Sequence, residues 1–166
     1  MRILTVFYSL EGNCRALADI IQEAVGGDAE GLCPEKEIPR QGFRRILIGG
    51  WMAWLGRSCP NRPLKSNIAD YDLIFAGTPV WAWRMSPPVF RFLTETDWTG
   101  HYVALYAMHG GSPGWTLRAM RKQVEARGGR VVSAADFRDL RRGDPYPTRQ
   151  KAAVWAREVV GNMDKI

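Results

Sequence analysis

The sequence predicts an α/β fold: a doubly wound parallel sheet of five strands, with helices layered on both faces. Three observations predict it. Short apolar runs recur with little polar alternation, as strands covered on both faces require. Segments with apolar residues at helical spacing follow them. Glycine pairs and prolines stand where those helices should stop or start. Strand and helix in alternation bury their apolar faces best as three layers around a parallel sheet.

Each element follows from its residues. Arg2–Tyr8 is a near-continuous apolar run and reads as the first strand. Asn13–Val25 sets Leu17, Ile20, Ile21 and Ala24 on one helical face and stops at Gly26 and Gly27. Asp28–Cys33 reads as a weak second strand, and Pro34–Asn67 as an insertion before the third. Within the insertion, Phe43–Gly56 has helical character interrupted by Gly49 and Gly50. Asp72–Gly77 is the third strand, and Pro87–Thr94 a short helix with both prolines in its first turn. Tyr102–Met108 is the fourth strand. Trp115–Arg127 is a helix with Leu117, Met120 and Val124 inward, closed by Gly128 and Gly129. Arg130–Ala135 and Thr148–Val160 complete the pattern as the fifth strand and last helix. No repeat, low-complexity tract or linker divides residues 1–166, so one domain is expected.

Composition narrows the function. With 46% hydrophobic and 24% charged residues the chain is neither disordered nor collagen-like, and 166 residues bury a core without metal or disulfide staples. No apolar run reaches the roughly 18 residues of a membrane span. Met1 leads directly into a strand, with no room for a signal peptide, so a cytoplasmic location is expected. Cys14, Cys33 and Cys59 are widely spaced and odd in number, which supports neither a zinc site nor a disulfide framework. The net charge of +6 is localised: Lys36 to Lys65 holds seven basic residues and one acid, and the remainder balances. A globally basic surface would point to nucleic acid; one basic segment points to a local site or partner.

In a doubly wound sheet, ligands bind beyond the carboxyl ends of the strands, where strand order reverses. Three segments lie there. Ser9-Leu10-Glu11-Gly12-Asn13-Cys14 opens directly into a helix, whose N-terminal amides form an anion site that Gly12 lets the backbone approach. A tight turn capped by Asn13 explains this loop about as well. Thr78-Pro79-Val80-Trp81-Ala82-Trp83 places two tryptophans beyond a buried strand, where an indole can stack on a flat aromatic ligand. Packing beneath the next helix accounts more readily for one of them than for both. His109-Gly110-Gly111 begins a glycine-rich loop through which backbone amides can reach a ligand. A histidine in such a loop is more often exposed than functional.

These segments resemble the flavodoxin family. Tyr8-Ser9-Leu10-Glu11-Gly12-Asn13 is similar to the phosphate loop of its flavoproteins. Tyr71–Trp81, followed by Pro87-Pro88 and Phe92-Leu93, is similar to the same group. The resemblance spans essentially the whole chain and implies strand order 2-1-3-4-5 and bound FMN. The phosphate would lie at Ser9–Cys14 and the isoalloxazine between Thr78–Trp83 and His109–Gly111. Trp81 matches the usual stacking aromatic, and Trp83 is a second candidate. Two residues depart from the pattern. Glu11 replaces a hydroxyl donor, although a branch of these flavoproteins shares Ser-Leu-Glu-Gly-Asn. Cys14 stands where threonine is usual, and reads first as a filler of similar size and only second as a redox sensor.

Rival uses of the fold fail on named residues. A phosphoacceptor domain needs acids where Tyr8-Ser9 and Gly77-Thr78 stand; a small tyrosine phosphatase needs arginine where Ile20 follows Cys14; no G-x-G-x-x-G follows the first strand. The remaining alternative is a binding or regulatory module that no longer uses flavin. If flavin is used it carries the chemistry, and no residue is required as a dedicated acid, base or nucleophile. Two modes then stand open: one-electron exchange with a redox partner protein, or NAD(P)H-dependent two-electron reduction of a quinone-like small acceptor. The insertion bears on partners. Arg44, Arg45, Arg57 and Arg62 suit an acidic protein or an anionic substrate. Ile46–Leu55, with Trp51 and Trp54, is apolar all round and suits a packed crossover, an access wall, a homodimer contact or a membrane surface.

Overall fold

The structure, a computed structural model, describes residues 1–35, 59–141 and 145–163. Five strands run parallel: β1 (Ile3–Phe7), β2 (Asp28–Gly31), β3 (Leu73–Trp81), β5 (Tyr102–His109) and β6 (Arg130–Arg138). A two-residue strand, β4 (Arg84–Met85), folds back antiparallel on the tip of β3. The sheet order is β2-β1-β3-β5-β6, which is the expected 2-1-3-4-5 once β4 is set aside. The helices are α1 (Asn13–Val25), α2 (Pro87–Glu95), α3 (Thr116–Glu125) and α4 (Tyr146–Met163). The order reverses between β1 and β3, so the crevice for a ligand opens at their carboxyl ends.

Alternation along the central strands supplies a core on each side. Leu4, Val6, Ile74, Ala76, Val103 and Leu105 pack with Val89 and Leu93 of α2 and Met120 and Val124 of α3. Ile3, Phe7, Leu73, Phe75, Ala104 and Tyr106 pack with Leu17 and Ile21 of α1 and Trp155 and Val159 of α4. Each valine, leucine, isoleucine, methionine or phenylalanine among them contributes about 1.5–3 kcal/mol when fully buried. A tryptophan anchors each layer edge-on to a phenylalanine: Trp98 on Phe92 at 5.3 Å and Trp155 on Phe75 at 5.5 Å between centroids. Both indole N–H groups are satisfied, Trp98 donating to the Leu93 carbonyl at 3.0 Å and Trp155 to the Ser133 hydroxyl at 2.9 Å.

Several boundaries differ by a few residues from the sequence reading, and the differences at the ends of β3 and β5 and at the start of α4 matter most for the crevice. β3 continues past Gly77 to Trp81 because Thr78 and Pro79 keep pairing with β5 while Val80 and Trp81 pair with β4. β5 includes His109, paired with Arg138, because β6 runs three residues beyond Ala135. Helix α4 begins at Tyr146, with Pro147 inside its first turn rather than ahead of it.

The insertion leaves the sheet through a short antiparallel neck. Pro34 bridges Asn61, the Glu35 amide donates to the Pro60 carbonyl at 2.9 Å, and the Arg62 amide donates to the Cys33 carbonyl at 2.8 Å. Glu30 on β2 ties down the returning leg by accepting from the amides of Lys65 and Ser66 at 2.7 and 2.9 Å. Burial pushes the Glu30 carboxyl up, but those amides and the Lys65 ammonium outweigh it and hold the group below the ordinary glutamate value. The expected helix Phe43–Gly56 and the basic residues from Lys36 to Arg57 lie outside the described residues.

Candidate functional site

A recess opens at the carboxyl ends of β1, β3 and β5. Ser9, Leu10, Glu11, Asn13 and Cys14 form one wall, Pro79, Val80 and Trp81 a second, and Met108, His109 and Gly110 a third; Asp139 joins them from beyond β6. The chain thus brings together parts of all three segments singled out in the sequence. Gly12, Thr78, Ala82, Trp83 and Gly111 are not among the residues lining the recess.

The first wall is a donor-rich turn. Gly12 adopts a left-handed conformation (φ 91°) as the residue preceding α1 and provides no side-chain cap. The Ser9 hydroxyl accepts from the Arg15 amide at 3.2 Å, and the Gly12 carbonyl accepts from the Ala16 amide at 2.9 Å. The amides of Asn13 and Cys14 donate to no atom of the described residues, which leaves the first turn of α1 with free donors beside the recess. The Arg141 guanidinium closes on the same turn: a Cβ at Gly12 would stand 3.5 Å from it. The Arg141 amide donates to the Asp139 carboxylate at 2.8 Å.

Cys14 belongs to this wall but is only 1% exposed. Burial pushes its thiol far above the ordinary cysteine value, and the Asp139 carboxylate raises it further. The residue is therefore a protonated, space-filling thiol rather than a reactive one.

The second wall owes its shape to the β3–β4 hairpin. Thr78 is fully buried, accepting from the Ser86 amide at 3.0 Å with its hydroxyl 3.1 Å from that of Ser86. Thr78 thus braces the base of the hairpin rather than facing a ligand. Trp81 is half-buried and packs edge-on against Tyr8 at 5.8 Å, which fixes its indole at the recess. Ala82 and Trp83 form the hairpin tip, and Trp83 is 64% exposed. Of the two tryptophans, only Trp81 lines the recess.

His109 corrects the expectation of an exposed loop histidine. It is the last residue of β5, 7% exposed, with Nε2 3.0 Å from the Asp136 carboxylate on β6. Its Nδ1 is closed to solvent and has no partner among the described residues. Asp136, Asp139 and Arg141 went unnoticed in the sequence. Their signal was present: the same strand-end rule, applied after the fifth strand, leads to Arg138-Asp139-Leu140-Arg141. The recess thus combines free amides at one end with an indole and an oriented imidazole at the other, and the Arg141 guanidinium stands against the Gly12 turn outside its lining. Two carboxylates, Glu11 and Asp139, line it as well.

A recess at the switch point of a 2-1-3-4-5 parallel sheet defines the chain as a flavodoxin-like α/β fold. Solved structures bear this out. A candidate flavoprotein of Bacteroides eggerthii superposes with a TM-score of 0.74 at 20% identity, over 96% of this chain and 98% of that one. A flavoprotein of Lactobacillus acidophilus, in complex with FMN, gives 0.66 at 18% identity, over 88% and 98%. The two-electron reduced flavodoxin of Megasphaera elsdenii gives 0.60 at 21% identity, over 95% and 99%. No protein-family model and no curated protein matches the sequence.

Proposed function

We propose that the chain binds FMN in this recess and works as an electron-transfer flavoprotein. One observation carries the reading: free donors of the α1 N-terminus and a fixed indole face one recess at the fold's switch point. The Lactobacillus neighbour, in complex with FMN, supports the choice of ligand. Bound FMN supplies the redox chemistry, and the protein supplies binding, orientation and electrostatic tuning.

The residues divide that task. The Asn13 and Cys14 amides and the Arg141 guanidinium suit a phosphate, with Gly12 allowing close backbone approach. Trp81 offers a flat face to the ring system. Asp136 orients His109, whose ring lines the recess beside the place proposed for the flavin ring system. Glu11 and Asp139 oppose the phosphate's charge and limit affinity.

The decisive assay is FMN titration of the purified chain, read by flavin fluorescence quenching and the visible spectrum. Saturable uptake supports the reading, and a chain that takes up no FMN is the flavin-free binding or regulatory module instead. Stopped-flow mixing of the loaded protein with NADPH then separates the modes. Bleaching assigns NAD(P)H-dependent reduction of a quinone-like acceptor, whereas no bleaching assigns exchange with a redox partner protein.

A further inference from the structure

The tip of the β3–β4 hairpin is built against local preference. Ala82 and Trp83 both have positive φ, 48° and 62°, the conformation of a two-residue type I′ turn that favours Asn-Gly. L-residues with side chains are strained there. The strain is not offset by burial, since Trp83 projects into solvent. Its carbonyl accepts the Trp115 amide at 3.2 Å, and Gly114 packs so tightly on Trp83 that a Cβ there would lie 2.5 Å from the Trp83 Cβ. This brace places Trp115 beside the tip. At 64% and 69%, Trp83 and Trp115 are the most exposed large apolar side chains among the described residues.

The aromatic pair continues into a basic stripe. Trp115, Arg118, Ala119, Lys122 and Ala126 follow one outward line of α3 and its ends, opposite the buried Thr116, Met120 and Val124, and form one groove. Arg84, Arg118 and Lys122 are exposed and make no ion pair among the described residues. The nearby carboxylate of Glu125 is already engaged by Arg121 at 3.1 Å. Two exposed tryptophans, Trp83 held in a strained turn, beside uncompensated cations suit a partner that covers the indoles and brings negative charge. The surface shares the β3–β4 hairpin and the β5–α3 loop with the recess, so whatever docks there sits at the recess rim.

We infer that Trp83, Trp115, Arg84, Arg118 and Lys122 form a docking surface for an acidic redox protein. Its redox character rests on the flavin reading; the docking does not, and the two fail separately. The probe is an acidic [2Fe–2S] ferredoxin, titrated calorimetrically into the full chain at low salt, with basic cytochrome c as the contrast. The expected result is a ferredoxin complex that weakens at least about tenfold between 20 and 200 mM salt and no cytochrome c complex. The double variant R118E/K122E, altered only on an exposed helix face, should weaken it at least tenfold with an unchanged circular dichroism spectrum. W115A should weaken it severalfold. The pair A82N/W83G should melt at higher temperature yet dock more weakly. R44S/R45S in the insertion should change the affinity less than twofold. The surface is overturned by no ferredoxin binding, by equal cytochrome c binding, by wild-type affinity in R118E/K122E, or by a loss carried by R44S/R45S instead. A chain that docks ferredoxin without taking up FMN refutes the flavin reading alone; one that takes up FMN without docking refutes this surface alone.

Discussion

Gly77 shows how a single residue sets the packing beneath the first turn of α1. A Cβ there would fall 1.9 Å from the ring of fully buried Tyr106, whose hydroxyl donates to the Cys14 carbonyl at 3.3 Å. Gly77→Ala is expected to cost about 3 kcal/mol in urea unfolding, at the upper end of overpacking effects; an unchanged midpoint would remove this close approach from the account. Cys14 leads to a second expectation. Because burial and Asp139 keep its thiol protonated, native protein treated with a thiol reagent at neutral pH should label exposed Cys33 and leave Cys14 unmodified. Glu11 supplies a third. Glu11→Gln removes a carboxylate from the recess and should tighten FMN binding about tenfold, roughly 1.4 kcal/mol, by fluorescence titration. Weaker binding would mean that Glu11 helps hold the ligand. At this scale the turn at Gly12 and the position of Trp81 beside the recess were legible, because a glycine turn before a helix and an aromatic beyond a buried strand leave residue-type signatures. The burial of His109 was not, since it depends on Asp136, 27 residues away.

Among the elements, the hairpin and the insertion neck carry the sharpest consequences. Replacing the strained tip with the favoured turn, A82N/W83G, should stabilise the chain by about 1 kcal/mol in thermal or urea unfolding. A loss of stability would mean that Trp83 contributes packing that its exposure does not suggest. At the neck, the Glu30 carboxyl is held below its ordinary value of 4.5 in the folded chain. Its contribution is therefore complete above that value and is lost as pH falls through the lowered folded value. Glu30→Gln should cost up to about 1 kcal/mol at neutral pH, allowing for partial exposure, and nothing in strong acid. A pH series of melting temperatures checks the convergence of the two proteins. The long strands and helices were legible because periodicity needs several residues to show. β4 was not, because two residues have no period, and β3 overran Gly77 because pairing with β5 and β4 extends it where the local sequence reads as loop.

At the scale of the whole molecule, the layering followed from the alternation of strands and helices, the strand order was what the family resemblance implied, and the crevice follows from that order. The charge did not translate so directly. The sequence concentrates its +6 between Lys36 and Lys65, yet the exposed basic stripe beside the recess comes from Arg84, Arg118 and Lys122, in a remainder that balances overall. Local surface charge depends on which residues share a face, and only the fold decides that. The central claim is that the recess holds FMN. Its most direct measurement is equilibrium titration of the purified chain with FMN, with W81A alongside. One flavin per chain is expected, with quenched fluorescence and a shifted visible band, and weaker uptake by W81A. No uptake, or uptake indifferent to Trp81, would contradict it.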